Sequence, residues 1–241
     1  MKLPTLQGII KRRILVNYRA EPETIQKILP PQFRPKTFNG KAIAGICLIR
    51  LERIRPQFAP EFVGISSENA AHRIAVEWEE NGEKREGVFI PRRDTDSLIN
   101  HFGGGTIFPG EHHSADFSVT ESADKIDFSM KSKDEKVQLE LKGSVSADLP
   151  RNSIFSSIAE ASAFFEKGSL GYSVTKNGKD LDGIYLEIED WQVEALNLDS
   201  IHSNFYEDQT VFPAGSIEFD HALLMRDIVH KWQSAPSFEL K

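Results

Sequence analysis

The sequence contains a single cysteine, Cys47, so no disulfide can form within the chain. This scarcity fits either a reducing compartment or a protein that is indifferent to its redox environment. The thiol lies in the apolar run 44–49, and we interpret it as a small buried hydrophobic side chain. A nucleophilic thiol is the less favoured interpretation, because apolar surroundings disfavour the thiolate.

Long apolar runs are also missing. No stretch approaches the ~20 continuous apolar residues of a membrane helix, and residues 1–4 do not begin a secretory signal. We therefore expect a cytoplasmic protein with no membrane partner. The formal net charge of -7 argues against nucleic acid as a partner, because phosphates would be repelled. Positive charge is concentrated at residues 11–13 and at Arg92 and Arg93, and such small clusters suit small anions.

Repeats, low-complexity tracts and linker-like runs are absent from the sequence, which predicts one domain over residues 1–241. Alternating and β-branched segments predict strands over residues 9–18, 42–51, 73–79, 115–120, 125–132 and 137–145. Asn81 and Gly82 tolerate positive φ angles, so we expect a hairpin that pairs residues 75–79 with residues 85–89. The last three predicted strands form a meander.

Helical signals are fewer. They predict short helices over residues 21–29, 95–102 and 156–167. Pro22 occupies the start of the first helix, Asp94 caps the second, and Ser156 or Ser157 opens the third. The segment 217–232 is compatible with either a helix or a buried strand. Many strands with few helices predict a mainly β (α+β) protein, a barrel or closed sheet covered by short helices.

The most concentrated polar segment is 66–73, which places an acid, an amide, an imidazole and a guanidinium between two strand-like runs. We interpret it as a loop that lines a pocket. Glu68 is the candidate general acid or base, Arg73 suits a carboxylate, and His72 adds a polar partner. The alternative is a solvated loop, although residues 69–71 are small and apolar for such a connection.

Arg92 and Arg93 lie between a predicted strand end and the predicted helix cap at Asp94. A helix N-terminus offers unpaired N–H groups, so an anion can be held there with either arginine. The equally weighted alternative is an arginine–aspartate pair that buttresses the turn.

His112 and His113 begin a predicted strand, where neighbouring side chains point to opposite faces, so only one of them reaches the interior. A metal site with His72 and Glu68 matches no known ligand spacing, and we expect no metal.

The glycines at 103–105 lack the spacing of a phosphate-binding loop, and no Gly-x-Ser-x-Gly motif occurs. We therefore expect neither a nucleotide cofactor nor serine-hydrolase chemistry.

Taken together, these segments resemble the acetoacetate decarboxylase-like superfamily. Residues 16–23 and 28–31 are similar to its opening strand, short helix and Leu-Pro turn, and residues 66–68 resemble its acidic loop. Within the superfamily, an uncharacterised bacterial family is closer still, through residues 67–78, 87–95, 108–113 and 219–232. The resemblance spans nearly the whole chain.

The resemblance implies a cone-shaped antiparallel β-barrel around a mostly apolar cavity, with residues 221–224 extended. The decarboxylase itself works through two adjacent lysines, one of which forms a Schiff base. This chain has no lysine between Lys84 and Lys125, and Arg92 and Arg93 cannot form an imine. The glutamate of the acidic loop carries over onto Glu68. The superfamily also has a substrate-binding arginine on its first strand, and Lys11, Arg12 and Arg13 are competing candidates for that role in this chain.

The resulting hypothesis is a cavity that binds a small organic acid or carbonyl compound. Glu68 is its ionisable group, with polar partners drawn from His72, Arg73, Arg92, Arg93 and His112. If turnover occurs, lyase or isomerase chemistry by acid–base catalysis is expected, without a Schiff base. The alternative is a non-enzymatic binding or interaction module, and the oligomeric state is left open.

Overall fold

The computed structural model describes residues 4–97 and 109–240. In these residues, strands dominate and the helices are short. The helices are α1 (Pro22–Gln26), α2 (Ile158–Glu166) and α3 (Asn204–Glu207), with a 3-10 turn at Glu61–Val63. The strands are β1 (Leu6–Ala20), β2 (Arg34–Pro35), β3 (Thr37–Phe38), β4 (Lys41–Pro56), β5 (Ile65–Glu80), β6 (Glu83–Thr95), β7 (His112–Glu121), β8 (Lys125–Ser132), β9 (Gln138–Ser146), β10 (Leu170–Val174), β11 (Asp180–Ile188), β12 (Glu194–Ser203) and β13 (Ile217–Glu239).

The sheet closes on itself. Seven of the described strands pair in the ring β1–β4–β5–β6–β10–β11–β13, and β13 returns to β1. A second path leads from β6 through β7, β8, β9 and β12 back to β13. The mainly β architecture is therefore confirmed, and closure leaves few unpaired strand edges. The expected antiparallel pairing needs one correction, because β6 pairs in parallel with both β7 and β10.

Local turn chemistry fixes the hairpin between β5 and β6. Asn81 and Gly82 have φ angles of 54° and 79°. Both lie in the left-handed region that a two-residue hairpin turn requires. The predicted hairpin is present, with Ala75 paired to Val88 and Trp78 to Arg85, although Glu79 pairs with Lys84, one residue before the predicted partner strand. The meander of β7, β8 and β9 is confirmed as well.

The helical predictions have mixed outcomes. Helix α2 is confirmed, and the Ser157 side chain caps it by accepting a hydrogen bond from the Glu160 amide. Helix α1 ends at Gln26, earlier than expected. The helix expected to begin at Asp94 is wrong at its start, because Asp94 and Thr95 belong to β6; residues 98–102 lie outside the described part. The segment 217–232 is extended within β13, as the family resemblance implied.

The two faces of the shared strands contact different cores. Alternate residues of β5, such as Ala70 and Ile74, pack in the largest apolar cluster together with side chains of β8 and β9. The opposite face, represented by Ala75, packs against α2 through Phe164 and Phe165. This alternation follows from the pleat of a strand and assigns every polar side chain of β5 to one of two interiors. No helix in the described residues is long and apolar enough to cross a membrane.

Candidate ligand-binding site

Glu68 lies within β5, so the interpretation of residues 66–73 as a loop is wrong. Its carboxylate accepts hydrogen bonds from Arg12 Nη2 at 2.5 Å and from Arg50 Nη1 at 3.2 Å. The three residues come together because Arg12 pairs with Arg50 across β1 and β4, and Arg50 pairs with Glu68 across β4 and β5. Side chains directly opposite on one face of a sheet lie within contact distance.

Arg12 and Glu68 form the buried part of an ion-pair network, and its other members, Arg50 and Glu121, are partly exposed. Arg12 is 1% exposed, and its Nη1 donates to Glu121 at 3.1 Å. The guanidinium also lies 5.6 Å from the ring centroid of Phe128. Both oxygens of the Glu68 carboxylate are thus engaged by arginines of the chain, which leaves this side chain poorly placed to contact a ligand.

Arg73 points to the other face of β5, five residues along the strand from Glu68, so the two predicted partners are not brought together. Its side chain faces a cavity of about 30 Å³ between α2 and strands β1, β5 and β6. The volume suits about two water-sized groups, such as the two oxygens of one carboxylate. The cavity is lined by Arg13, Leu15, Lys36, Arg73, Ala75, Gly87, Val88, Phe164, Phe165 and Gly168.

A wider cavity of about 190 Å³ adjoins the first, since Arg13 and Gly168 line both. Its other walls combine aromatic, aliphatic and polar side chains, namely Tyr185, Leu186, Ile188, Trp191, Ser169, Glu166 and Glu187. Arg13 stands at the junction, with its guanidinium 5.7 Å from the ring centroid of Trp191. The inner cavity thus offers cations in an apolar setting, and the outer one offers room for a larger group.

Within the described residues, Arg13, Arg73 and Arg93 form no ion pair with a carboxylate. Arg13 Nε donates to Cys47 Sγ at 3.1 Å, and Arg73 Nη2 donates to Asn17 Oδ1. Four buried nitrogens of these three arginines have no hydrogen-bond partner in the described residues, namely Arg13 Nη1, Arg73 Nε, Arg93 Nε and Arg93 Nη2. Unpaired charge is expensive to bury, which makes the cavity shared by Arg13 and Arg73 the strongest candidate anion site.

The pKa values of Arg73 and Arg93 are lowered, as expected for buried guanidinium groups without a carboxylate partner. Burial, and to a lesser degree the nearby charge of Arg13, lowers the pKa of Arg73 to about 10. Burial also lowers the pKa of Arg93 to about 10. Both arginines remain cations at neutral pH, so each retains a charge that an anion can neutralise.

Arg93 and His112 lie on the same face as Arg73. Arg93 pairs with Ala71, two residues from Arg73, and His112 pairs in parallel with Arg93. Burial, with a contribution from Arg93, lowers the pKa of His112 to about 3, so its imidazole is neutral. His113 pairs with Asp94 one position along, and its Nδ1 lies 3.4 Å from Asp134. The expectation that only one of the two histidines turns toward this interior is consistent with their burial.

Arg92 and His72 lie on the Glu68 face. Arg92 Nη2 donates to Asp94 at 2.7 Å and to Asp134 at 2.9 Å, which satisfies its guanidinium with two carboxylates. Asp94 therefore pairs with Arg92 inside the sheet and does not cap a helix. The His72 ring is fully buried, 4.0 Å from the ring of Phe205.

In residues 4–97 and 109–240, no group of three or more His, Cys, Asp or Glu side chains is arranged to hold a metal ion. The glycines at 103–105 lie outside the described residues. The sequence reasoning missed Lys36, Asn17 and the aromatic lining of α2.

The closed sheet and its helix define an acetoacetate decarboxylase-like fold. Similar solved structures include acetoacetate decarboxylase from Legionella pneumophila, with 12% identity, a TM-score of 0.62, and coverage of 100% of this chain and 89% of that chain. Another is the enduracididine biosynthesis enzyme MppR complexed with pyruvate, with 11% identity, a TM-score of 0.60, and coverage of 99% and 91%. An acetoacetate decarboxylase-like enzyme from Sphingomonas wittichii RW1 has 12% identity, a TM-score of 0.58, and coverage of 98% and 92%.

At the sequence level the assignment is more specific. The model of the DUF2071 family of uncharacterized conserved proteins matches residues 10–215, and this chain belongs to that family. A search of curated protein sequences finds no match to it.

Proposed function

We propose that this protein binds a small organic acid, with the carboxylate of the ligand against Arg13 and Arg73. The observation that carries the proposal is that both arginines line the same small cavity and neither is paired with a carboxylate in the described residues. A carboxylate supplies two oxygens in one plane, which suits the parallel N–H groups of an arginine.

The size of the two cavities supports the same ligand class. The inner cavity accommodates a carboxylate head, and the wider one beside Trp191 and Tyr185 accommodates the rest of a small molecule. MppR, one of the similar structures, is described as complexed with pyruvate. A monocarboxylate of that kind is the first ligand that we would test on this chain.

The ligand is proposed to bind without forming an imine with a lysine. Lys36 lines the inner cavity, but its Nζ lies 2.7 Å from Glu86 Oε2 and 4.2 Å from the centroid of the Phe164 ring. The Lys36 nitrogen is therefore engaged by Glu86 and Phe164, and it is not presented to the cavity as a free nucleophile. Glu68, the acid–base group expected from the sequence, lies on the other face of β5 in its own ion pairs. These contacts favour a binding protein over a lyase or isomerase.

Calorimetric titration with sodium pyruvate tests the proposal. We expect saturable binding by the unmodified protein and at least a tenfold loss of affinity in Arg73→Gln and in Arg13→Gln, because each removes a cation from the cavity. Arg85→Gln is the matched control, since Arg85 lies in the exposed hairpin and should leave affinity unchanged. Equal affinities in all four proteins would place the ligand elsewhere, and absent binding by the unmodified protein to pyruvate and acetoacetate would refute the proposal.

A further inference from the structure

A chain of buried polar side chains leads from β13 to Arg73. It begins at a β-bulge: Asn17 pairs with His221 and Tyr18 pairs with Phe219, so Asp220 is an extra residue on β13. A bulge turns neighbouring side chains out of strict alternation, and here both Asp220 and His221 are buried. The chain continues across β1 through Asn17, which is also buried.

Each link of this chain is a hydrogen bond. The carboxylate of Asp220 accepts from Ser153 Oγ and from the Ile154 amide, each at 2.9 Å, and lies 3.4 Å from His221 Nδ1. His221 Nε2 is 3.0 Å from Asn17 Nδ2, and Asn17 Oδ1 accepts from Arg73 Nη2.

The direction of the hydrogen bonds follows from the chemistry of the groups. An amide nitrogen only donates, so His221 Nε2 must accept the Asn17 proton. The remaining proton of a neutral imidazole then resides on Nδ1 and points to Asp220. The Asn17 amide is thereby oriented with its oxygen toward Arg73, and its nitrogen also donates to the Leu15 carbonyl at 3.1 Å.

Apolar walls isolate the chain from solvent. The His221 ring lies 5.2 Å from the ring of Phe155 and 5.7 Å from the ring of Phe165, centroid to centroid. The Arg73 guanidinium is 4.9 Å from the centroid of the Phe165 ring. His221 and Asn17 are fully buried in these surroundings, so both depend on neighbouring side chains for their hydrogen bonds.

We propose that Asp220, His221 and Asn17 are positioning residues that hold the Arg73 guanidinium in its ligand-binding orientation. The proposal rests on the proposed function. Asn17 is a neutral acceptor, so it fixes one Nη group of Arg73 without cancelling the positive charge. The cation and the unpaired Nε remain available to a carboxylate in the cavity.

Asp220→Asn separates positioning from simple packing, because it changes one atom and keeps the shape. The new amide oxygen still accepts from the Ile154 amide, and its nitrogen then faces His221 Nδ1 as a donor. This selects the imidazole with its proton on Nε2, which opposes the Asn17 donor and favours a flipped Asn17 amide. A flipped amide presents its NH2 group to Arg73 and displaces the guanidinium.

The experiment combines ¹⁵N NMR of the histidine rings with pyruvate titration, and His221→Gln assigns the His221 signals. We expect the Nδ1–H form in the unmodified protein, the Nε2–H form in Asp220→Asn, and at least a tenfold weaker pyruvate affinity in that variant. Asp227→Asn, the same change on the same strand in an exposed ion pair with Lys11, should alter neither readout.

Unchanged pyruvate affinity in a folded Asp220→Asn protein would overturn the positioning role. An Nε2–H ring or an imidazolium in the unmodified protein would overturn it too, and that measurement decides the matter if the variant fails to fold. If the unmodified protein does not bind pyruvate, the proposed function is refuted. The His221 tautomer and its response to Asp220→Asn would then still test whether the hydrogen-bond chain exists.

Discussion

Replacing His72 by phenylalanine should remove part of the acid sensitivity of the fold. The imidazole is fully buried, and neither ring nitrogen has a hydrogen-bond partner in the described residues. Burial, with a smaller contribution from the charge of Arg92, lowers the pKa of His72 to about 3. The native state therefore keeps this ring neutral under conditions in which an exposed histidine takes up a proton.

The sign and size follow from proton linkage. The unfolded state binds a proton as the pH falls below about 6.5, whereas the native ring stays neutral down to about 3. Protonation of His72 in the unfolded state therefore has little effect on the free energy of unfolding above about pH 6.5 and lowers it progressively as the pH falls toward about 3. At about pH 5, one such histidine lowers the free energy of unfolding by about 2 kcal/mol relative to neutral pH.

Urea unfolding at about pH 7.5 and about pH 5 measures this difference. Between the two conditions, the unmodified protein should lose about 2 kcal/mol more than His72→Phe. His202→Asn is the matched control, because the His202 side chain is 74% exposed and should leave the pH dependence unchanged. Parallel pH dependences of the unmodified protein and His72→Phe would refute the reasoning and indicate that His72 is not held neutral.

Three further predictions concern single sites. Glu68→Gln should lower the free energy of unfolding by about 3 kcal/mol, because Arg12 and Arg50 lose their shared carboxylate; an unchanged urea midpoint would contradict this. Gly82→Ala should cost about 1 kcal/mol in the same assay, because Gly82 has a φ of 79°, and a neutral effect would argue against the turn. Borohydride treatment with pyruvate should leave Lys36 unmodified by mass spectrometry, whereas a stable adduct on Lys36 would show that an imine forms.

The elements that short-range signals specify were predictable from the sequence. The hairpin turn at Asn81 and Gly82, the meander, and the Ser157 cap of α2 each depend on residues within a few positions of one another. Composition and pattern therefore predicted a mainly β protein. A closed sheet was predicted, but the strand pairings that close it were not, because pairings such as β11 with β13 join segments far apart in the chain.

The site was harder to predict for the same reason. The polar start of β5 looks like a loop unless its partners are known, and those partners, Arg12 and Arg50, come from two other strands. Once β5 is recognised as a strand, alternation places Glu68 and Arg73 on opposite faces. Whether Arg12 or Arg13 faces α2 also depends on a register shift between Ile10 and Arg12, for which the sequence carries no distinctive signal.

The position of β13 has a consequence for how the chain reaches its native state. Strand β1 needs two neighbours, and one of them, β13, is synthesised roughly two hundred residues later. Contacts between such distant segments must overcome a large loss of chain entropy before they contribute stability. Strand β1 therefore gains its second neighbour only after β13 has been made, and the hydrogen bond between Asn17 and His221 cannot form before then.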